Sequence, residues 1–238
     1  MRLDKFLEAQ KIGSRGQVKK LIKNQEILVD GQVASSGRQN VDSGLQAITL
    51  GDHLLEGQGH HYYILNKPNG HICARSDAQH PTVLDCLSDQ DRWPDLYPIG
   101  RLDRDTEGLV LLTDNGPLGF RMLHPKHHVT KTYYVEVNGY LGDDAPEFFR
   151  SGVRFLDGTV CKAAALEILS SSPNLSSAQV TISEGKFHQV KKMFLAYGLK
   201  VTFLKRISFA DFHLGDLAVG KYRTLSQKEI SLLKSYLD

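Results

Sequence analysis

Asp103 stands between two arginines in GRLDRDTEGLVLLTDNG, residues 100 to 116, just ahead of an apolar run. A carboxylate held ionised beside a reaction centre can act as nucleophile or as base. Asn or Ser carries no such charge, and Glu would shift the attacking oxygens by a methylene. In an extended loop Arg101 and Asp103, two positions apart, point the same way. Read in isolation the group is a surface ion pair worth almost nothing energetically, and Asp103 with Asp105 also leaves an acid-dependent hydrolase open. EGKFHQVKKMF (184–194) adds the cations Lys186, Lys191 and Lys192. His124, His127 and His128 lie close together, with His60 and His61 further off, but neither HExxH nor a Cys/His ligand spacing occurs, so no metal is expected.

These residues need elements to position them. In residues 2–10, Leu3, Phe6 and Leu7 fall at i, i+3, i+4, the pattern of an amphipathic helix. A second helix is expected from Ser14, with Gln17 completing a capping box, an apolar stripe of Val18, Leu21 and Ile22, and a basic stripe of Arg15, Lys19 and Lys23. ILVDGQVA reads as a hairpin turning at Asp30-Gly31. EGQGHH (56–61) is glycine-rich and polar, the composition of a linker. Beyond it YYILNKP, GLVLLT, KTYYVEV, AALEIL, AQVTIS and KVTFLKRI read as strands, and SSSPNLSS as a loop. HQVKKMFLAYG reads as a helix with Val190, Met193, Phe194 and Tyr197 on one face and Gly198 ending it. Ser226 and Glu229 form a capping box for a C-terminal helix, with Leu225 and Ile230 placed to staple its start. Strands mixed irregularly with helices make the fold class α+β, with domains expected at 1–58 and 59–238.

The chain has 238 residues, 41% hydrophobic and 24% charged, the make-up of a globular protein with ample core. Its three cysteines, an odd count without CxxC spacing, suit a reducing cytoplasm and argue against a disulfide framework. The start MRLDKFLEAQ is charged throughout, so no signal peptide is expected, and apolar runs such as LVLL are far too short for a membrane span. Net charge is only +2, but Lys and Arg cluster. Residues 2–23 hold seven of them (Arg2, Lys5, Lys11, Arg15, Lys19, Lys20, Lys23) against Asp4 and Glu8, and 184–206 hold six against Glu184. Such clusters suit a localised phosphate-contacting surface as well as solvated helix faces.

MRLDKFL…SRGQVKKLIKNQEILVDGQ resembles the alpha-L RNA-binding fold. That pattern usually has glycine near the end of its second helix; here stands Asn24-Gln25, and Asn24 is expected to carry the left-handed turn. The pieces LNKPNG (65–70), GRLDRDTEGLVLLTDNG, KTYYVEV (131–137) and EGKFHQVKKMF resemble the pseudouridine synthases that act on ribosomal RNA. HPTVL (80–84), PKHHVTKTY (125–133) and HQVKKMF are similar to the subgroup that modifies uridine 516 of 16S small-subunit RNA.

The resemblance implies a small N-terminal RNA-binding domain and a catalytic domain built on a mixed, mostly antiparallel sheet flanked by helices. It implies isomerisation of uridine to pseudouridine without a cofactor, on a base that has left its stack. Asp103 is then catalytic, Arg101 enters the duplex and helps displace the base, and Lys186 pairs with Asp103 to keep it ionised. Tyr133, which shares a strand face with Val135 and Val137 and would otherwise be a core tyrosine, is placed against the uracil. Arg2, Arg15, Lys19, Lys20, Lys23, Lys191 and Lys192 are expected on RNA, as are His127 and His128 where they do not cap a loop. His188 and Gln189 either orient the active-site loop or simply begin a helix. Ribosomal RNA is the expected partner of a cytoplasmic monomer. The alternatives are the same reaction on 23S large-subunit RNA and a non-catalytic RNA-binding assembly factor.

Overall fold

The two amphipathic segments at the start of the chain form helices where their apolar spacing puts them. In the computed structural model, which describes residues 1–237, α1 is Leu3–Ala9 and α2 is Arg15–Lys23. Leu3, Phe6, Leu7 and Val18 are buried in one cluster with Ile27 and Ile48. Ser14 and Gln17 exchange capping bonds: Ser14 N–H donates to Gln17 Oε1 at 2.7 Å, and Gln17 N–H to Ser14 Oγ at 3.5 Å. The helix end departs from expectation. Asn24 keeps φ −79°, and Gln25 takes the left-handed conformation at φ 62°. Gln25 and Glu26 N–H then close back on Ile22 and Leu21 carbonyls, both at 3.1 Å, which places the turn one residue later.

Strands β1 (Ile27–Val29), β2 (Gln32–Val33), β3 (Ile48–Leu50) and β4 (His53–Leu54) make an antiparallel sheet in the order β2-β1-β3-β4. Asp30 at φ 49° and Gly31 at φ 79° form the expected two-residue turn. Residues 56–61 are not the loose tether their composition suggests. A Cβ on Gly57 would meet the Phe6 ring at 2.5 Å, and one on Gly59 would meet Gly44 Cα at 2.8 Å. Glycine is required there because the backbone lies directly on its neighbours. The expected division between residues 58 and 59 falls inside this packed stretch.

Then follow β5 (Tyr62–Lys67), β6 (Tyr97–Ile99), β7 (Glu107–Thr113), α3 (Gly116–Leu123), β8 (Lys131–Val137), α4 (Ala145–Arg150), β9 (Ala165–Ser170), β10 (Ser176–Ile182), α5 (Gln189–Tyr197), β11 (Val201–Phe209), β12 (Phe212–His213), β13 (Tyr222–Thr224) and α6 (Gln227–Lys234). All six strand segments read from the sequence are present. Their sheet runs β13-β5-β7-β11-β8-β10-β9, with β6 on β7 and β12 on β11. β11 pairs parallel with β7, while β11–β8, β8–β10 and β10–β9 are antiparallel. At the parallel crossing a Cβ on Gly108 would stand 2.2 Å from the Arg206 carbonyl oxygen, so that glycine of the GLVLL run cannot be replaced. Val135, Val137, Val180, Val190, Met193 and Phe194 fill the core of this sheet, and the Phe149 and Phe194 rings lie 4.8 Å apart.

Contacts divide the chain into two compact units: 1–62 with 113–122 and the chain from 224 onward, then 63–112 with 123–223. Inside the first unit Asp114 accepts from His60 Nδ1 at 3.0 Å and His61 Nδ1 at 2.7 Å. Buried Asn115 donates to Tyr62 Oη at 2.9 Å and Asp42 Oδ2 at 3.2 Å, and Tyr62 donates to Asp42. Burial, then the Asp42 charge, holds the Tyr62 phenol far above its usual pKa. α6 begins on the expected box, Ser226 N–H donating to Glu229 Oε2 at 2.8 Å. Among the described residues no helix is long and apolar enough to cross a membrane.

Candidate active site

Asp103 sits in the loop between β6 and β7, and the first fact about that loop is what holds it. Lys67, the lysine of LNKPNG, is fully buried with its ammonium on three carbonyl oxygens: Thr106 at 2.8 Å, Pro68 at 3.0 Å and Arg104 at 3.1 Å. Burial lowers its pKa, and three acceptors offset that cost. Gly70 N–H donates to Arg104 O at 2.9 Å, Thr106 N–H to Asp103 O at 3.1 Å, and Leu102 N–H to Cys73 Sγ at 3.2 Å. The loop is thereby tied on both sides of Asp103 to residues 67–73, the end of β5 and the segment that follows it. Along it Arg101 is exposed, Leu102 is buried and Asp103 is half-buried, the alternation that an extended segment gives.

The cation on Asp103 is Lys191. Its Nζ lies 3.0 Å from Asp103 Oδ2 and 2.5 Å from Asp105 Oδ1, and His188 Nε2 lies 3.6 Å from Asp103 Oδ1. Burial alone would lower the Lys191 pKa; its bonds to Asp105 and Asp103 outweigh this and raise it above the ordinary lysine value. Burial likewise works to raise Asp105, and Lys191 draws it below the ordinary carboxylate value.

Lys186, expected to pair with Asp103, does not. Its ammonium is on Glu184, which also accepts from Lys162 N–H at 2.9 Å and Gln189 Nε2 at 3.0 Å, while Lys186 N–H donates to Gln189 Oε1 at 2.8 Å. Residues 184–189 thus fold onto themselves, and His188 takes φ 52° to enter α5. That turn spends Lys186 locally and delivers Lys191, in the first turn of the helix, to the carboxylate. Gln189 orients this loop and begins the helix at once.

Tyr133 lies opposite Val180 and Arg206 in the sheet, inside the core cluster that also contains Leu102. It is 7% exposed, and no hydrogen bond reaches its hydroxyl among the described residues. Tyr134 faces away and donates to Glu136 at 2.9 Å.

In the first unit Arg15, Lys19, Lys20 and Lys23 are all exposed on or beside one helix face, without an anionic partner among the described residues. Arg2 is ion-paired with Asp4 at 2.5 Å. In the second unit Lys192 is 3.2 Å from Asp157, and Lys191 is occupied by the two aspartates, so neither is a free cation. His128 Nδ1 meets Lys162 Nζ at 3.1 Å, and His124 Nδ1 accepts from Lys126 N–H at 3.3 Å, so it is His124 that caps the loop.

A model of the RNA pseudouridylate synthases matches residues 61–196, and one of the S4 domain matches residues 1–46. Ribosomal small subunit pseudouridine synthase A of Escherichia coli (strain K12) is 39% identical over 234 residues, 97% of this chain and 99% of its own. The enzyme of that name from Yersinia pestis is 39% identical, covering 97% of both chains. An RNA pseudouridine synthase of Bacillus subtilis (strain 168), YtzG, is 38% identical over 98% of both chains. A crystal structure described as a pseudouridylate synthase superposes with a TM-score of 0.68 at 36% identity, over 98% of this chain and 99% of that one. The chain belongs to the RNA pseudouridylate synthase family.

This pseudouridine synthase therefore carries an S4 domain ahead of an α+β catalytic domain, as its motifs imply. Three features of the site were missed in the sequence. The sequence offers Lys191 as a phosphate contact, although the doublet Lys191-Lys192 on a helix start gives one residue to each side. Lys67 stands in the sequence as part of a motif, and a lysine within the apolar run YYILNKP is the signal of its burial. Arg206 belongs to a basic cluster by sequence, yet it is 1% exposed. Its Nε donates to Leu109 O at 2.8 Å, its guanidinium lies 5.2 Å from the Phe209 ring, and Nη2 has no partner among the described residues.

Proposed function

We propose that this synthase converts one uridine of small-subunit ribosomal RNA, uridine 516 of the 16S molecule, to pseudouridine, with Asp103 as the catalytic carboxylate. The observation that carries the reading is the half-buried Asp103 side chain, held by Lys191 at 3.0 Å in a loop pinned by the buried Lys67. Identity of 39% over nearly the whole chain to enzymes named for the small subunit supports the choice of RNA.

The exposed Arg101 enters the duplex as the target base leaves its stack. The ionised Asp103 then attacks the nucleotide or removes a ribose proton; both courses need the negative oxygen that Lys191 stabilises. The bond from C1′ to N1 breaks, the uracil turns, and C5 bonds to C1′. C5 loses its proton and N1 gains one, so atoms and electrons balance. Tyr133, its hydroxyl unengaged among the described residues, lies against the uracil and assists that transfer. The S4 cations Arg15, Lys19, Lys20 and Lys23 hold phosphates and position the RNA. The enzyme works as a cytoplasmic monomer.

Asp103→Asn is expected to bind a small-subunit RNA transcript and make no pseudouridine, while the wild-type enzyme modifies a single position found by chemical sequencing. Full activity in Asp103→Asn would overturn the assignment of the carboxylate. Modification confined to large-subunit RNA would overturn the assignment of the substrate.

A further inference from the structure

Phe187 is 73% exposed, although it sits one residue from a side chain that touches Asp103. Its ring is stacked on the His188 imidazole, with centroids 3.7 Å apart and planes inclined by 21°. His188 is held in a left-handed conformation at φ 52°, ψ 34°, sparsely populated for a residue with a Cβ, and its other end meets Asp103 at 3.6 Å. Lys192 Nζ stands 5.8 Å from the Phe187 ring centre and 5.3 Å from that of Phe155, and it is paired with Asp157. A flat apolar ring, stacked on the imidazole that meets Asp103, is therefore presented to solvent.

Flipping a uridine out of a helix leaves the neighbouring base with a face that has lost its stacking partner. An aromatic ring offers such a face a new partner irrespective of base identity, because every base has a π surface. We propose that Phe187, backed by His188, is a stacking platform for the nucleobase next to the target uridine, and so a positioning residue for the reaction. This rests on the RNA-modifying role of Asp103 given above. The occupant is an unpaired base of the substrate RNA.

The test uses full-length protein and a small-subunit RNA transcript. Phe187→Leu keeps an apolar side chain without a flat face, and is expected to raise KM on the order of tenfold with kcat within about threefold of wild type. Phe187→Trp is expected to recover the lost affinity, and its indole emission, corrected for the single native Trp93, is expected to be quenched as RNA is added. Wild-type KM in Phe187→Leu, or indole emission indifferent to RNA, would overturn the platform. If the wild-type protein makes no pseudouridine on this transcript, the substrate assignment fails separately. Filter binding and indole quenching still decide the platform: equal affinity of wild type and Phe187→Leu refutes it, and a tenfold gap with quenching supports it.

Discussion

Replacing Lys191 with Met keeps the length and helix propensity of the side chain and removes only its charge. The ammonium lies 3.0 Å from Asp103 Oδ2, with side-chain exposures of 25% and 28%. Coulomb attraction at that distance is about 5 kcal/mol for an effective dielectric near 20. Desolvation and residual water reduce the net value to about 2–3 kcal/mol, the upper range for a hydrogen bond to a charged group. If that interaction supports the reacting state, kcat/KM for pseudouridine formation falls roughly 30- to 150-fold. Asp105 shares the same ammonium but its side chain is 65% exposed. Asp105→Asn should therefore cost no more than about fivefold, the effect of an exposed pair. Lys186→Met, which disturbs Glu184 rather than Asp103, should fall well short of Lys191→Met. Single-turnover tritium release from C5-labelled RNA measures all three, with thermal melting as the check on folding. Activity of Lys191→Met within threefold of wild type, beside a hundredfold loss in Lys186→Met, would refute the pairing and restore the one the motif alone implied.

The left-handed Gln25 at φ 62° strains a backbone that glycine adopts freely, so Gln25→Gly should raise stability by roughly 0.5–1 kcal/mol in urea denaturation. Lys19→Glu with Lys23→Glu reverses two charges of α2 that have no anionic partner among the described residues, and should weaken RNA binding while shallowing its log–log salt slope by about 2, read from titrations at several salt concentrations. Burial, then the Arg206 charge, lowers the Lys131 pKa to about 8. The unfolded chain, with an ordinary lysine near 10.5, binds more protons between those values, so Lys131 makes stability rise with pH across that window. Subtracting the pH profile of Lys131→Met from that of wild type should isolate the rise; a flat difference would show that Lys131 stays as hydrated as a surface lysine.

The local code of this chain is read well from sequence because local physics produces it. Ser14 and Gln17 cap α2, Ser226 and Glu229 cap α6, and Asp30-Gly31 turns the first hairpin, each through atoms a few residues apart. β8 occupies the stretch KTYYVEV. α3 was not legible, since GPLG carries two glycines and a proline; its start depends on Asn115, which accepts from Leu118 N–H at 3.2 Å and is itself held by Tyr62 and Asp42. The stretch 56–61 read as a tether because glycine serves flexibility and close packing equally, and only the position of Phe6 and Gly44 tells which.

The same division runs through the site. The amino-acid sequence by itself determined the family, the carboxylate at 103, the two-domain order and the basic face of α2, because these reside in residue identity and short-range spacing. Tertiary structure alone decided which cation serves Asp103, since residues 186 and 191 both follow the loop by more than eighty positions and carry the same charge. A left-handed His188 and the start of α5 select Lys191, while Glu184 takes Lys186. Charge type is written in the sequence; the distance between two charges is set by the backbone that carries them, and Coulomb energy depends on that distance.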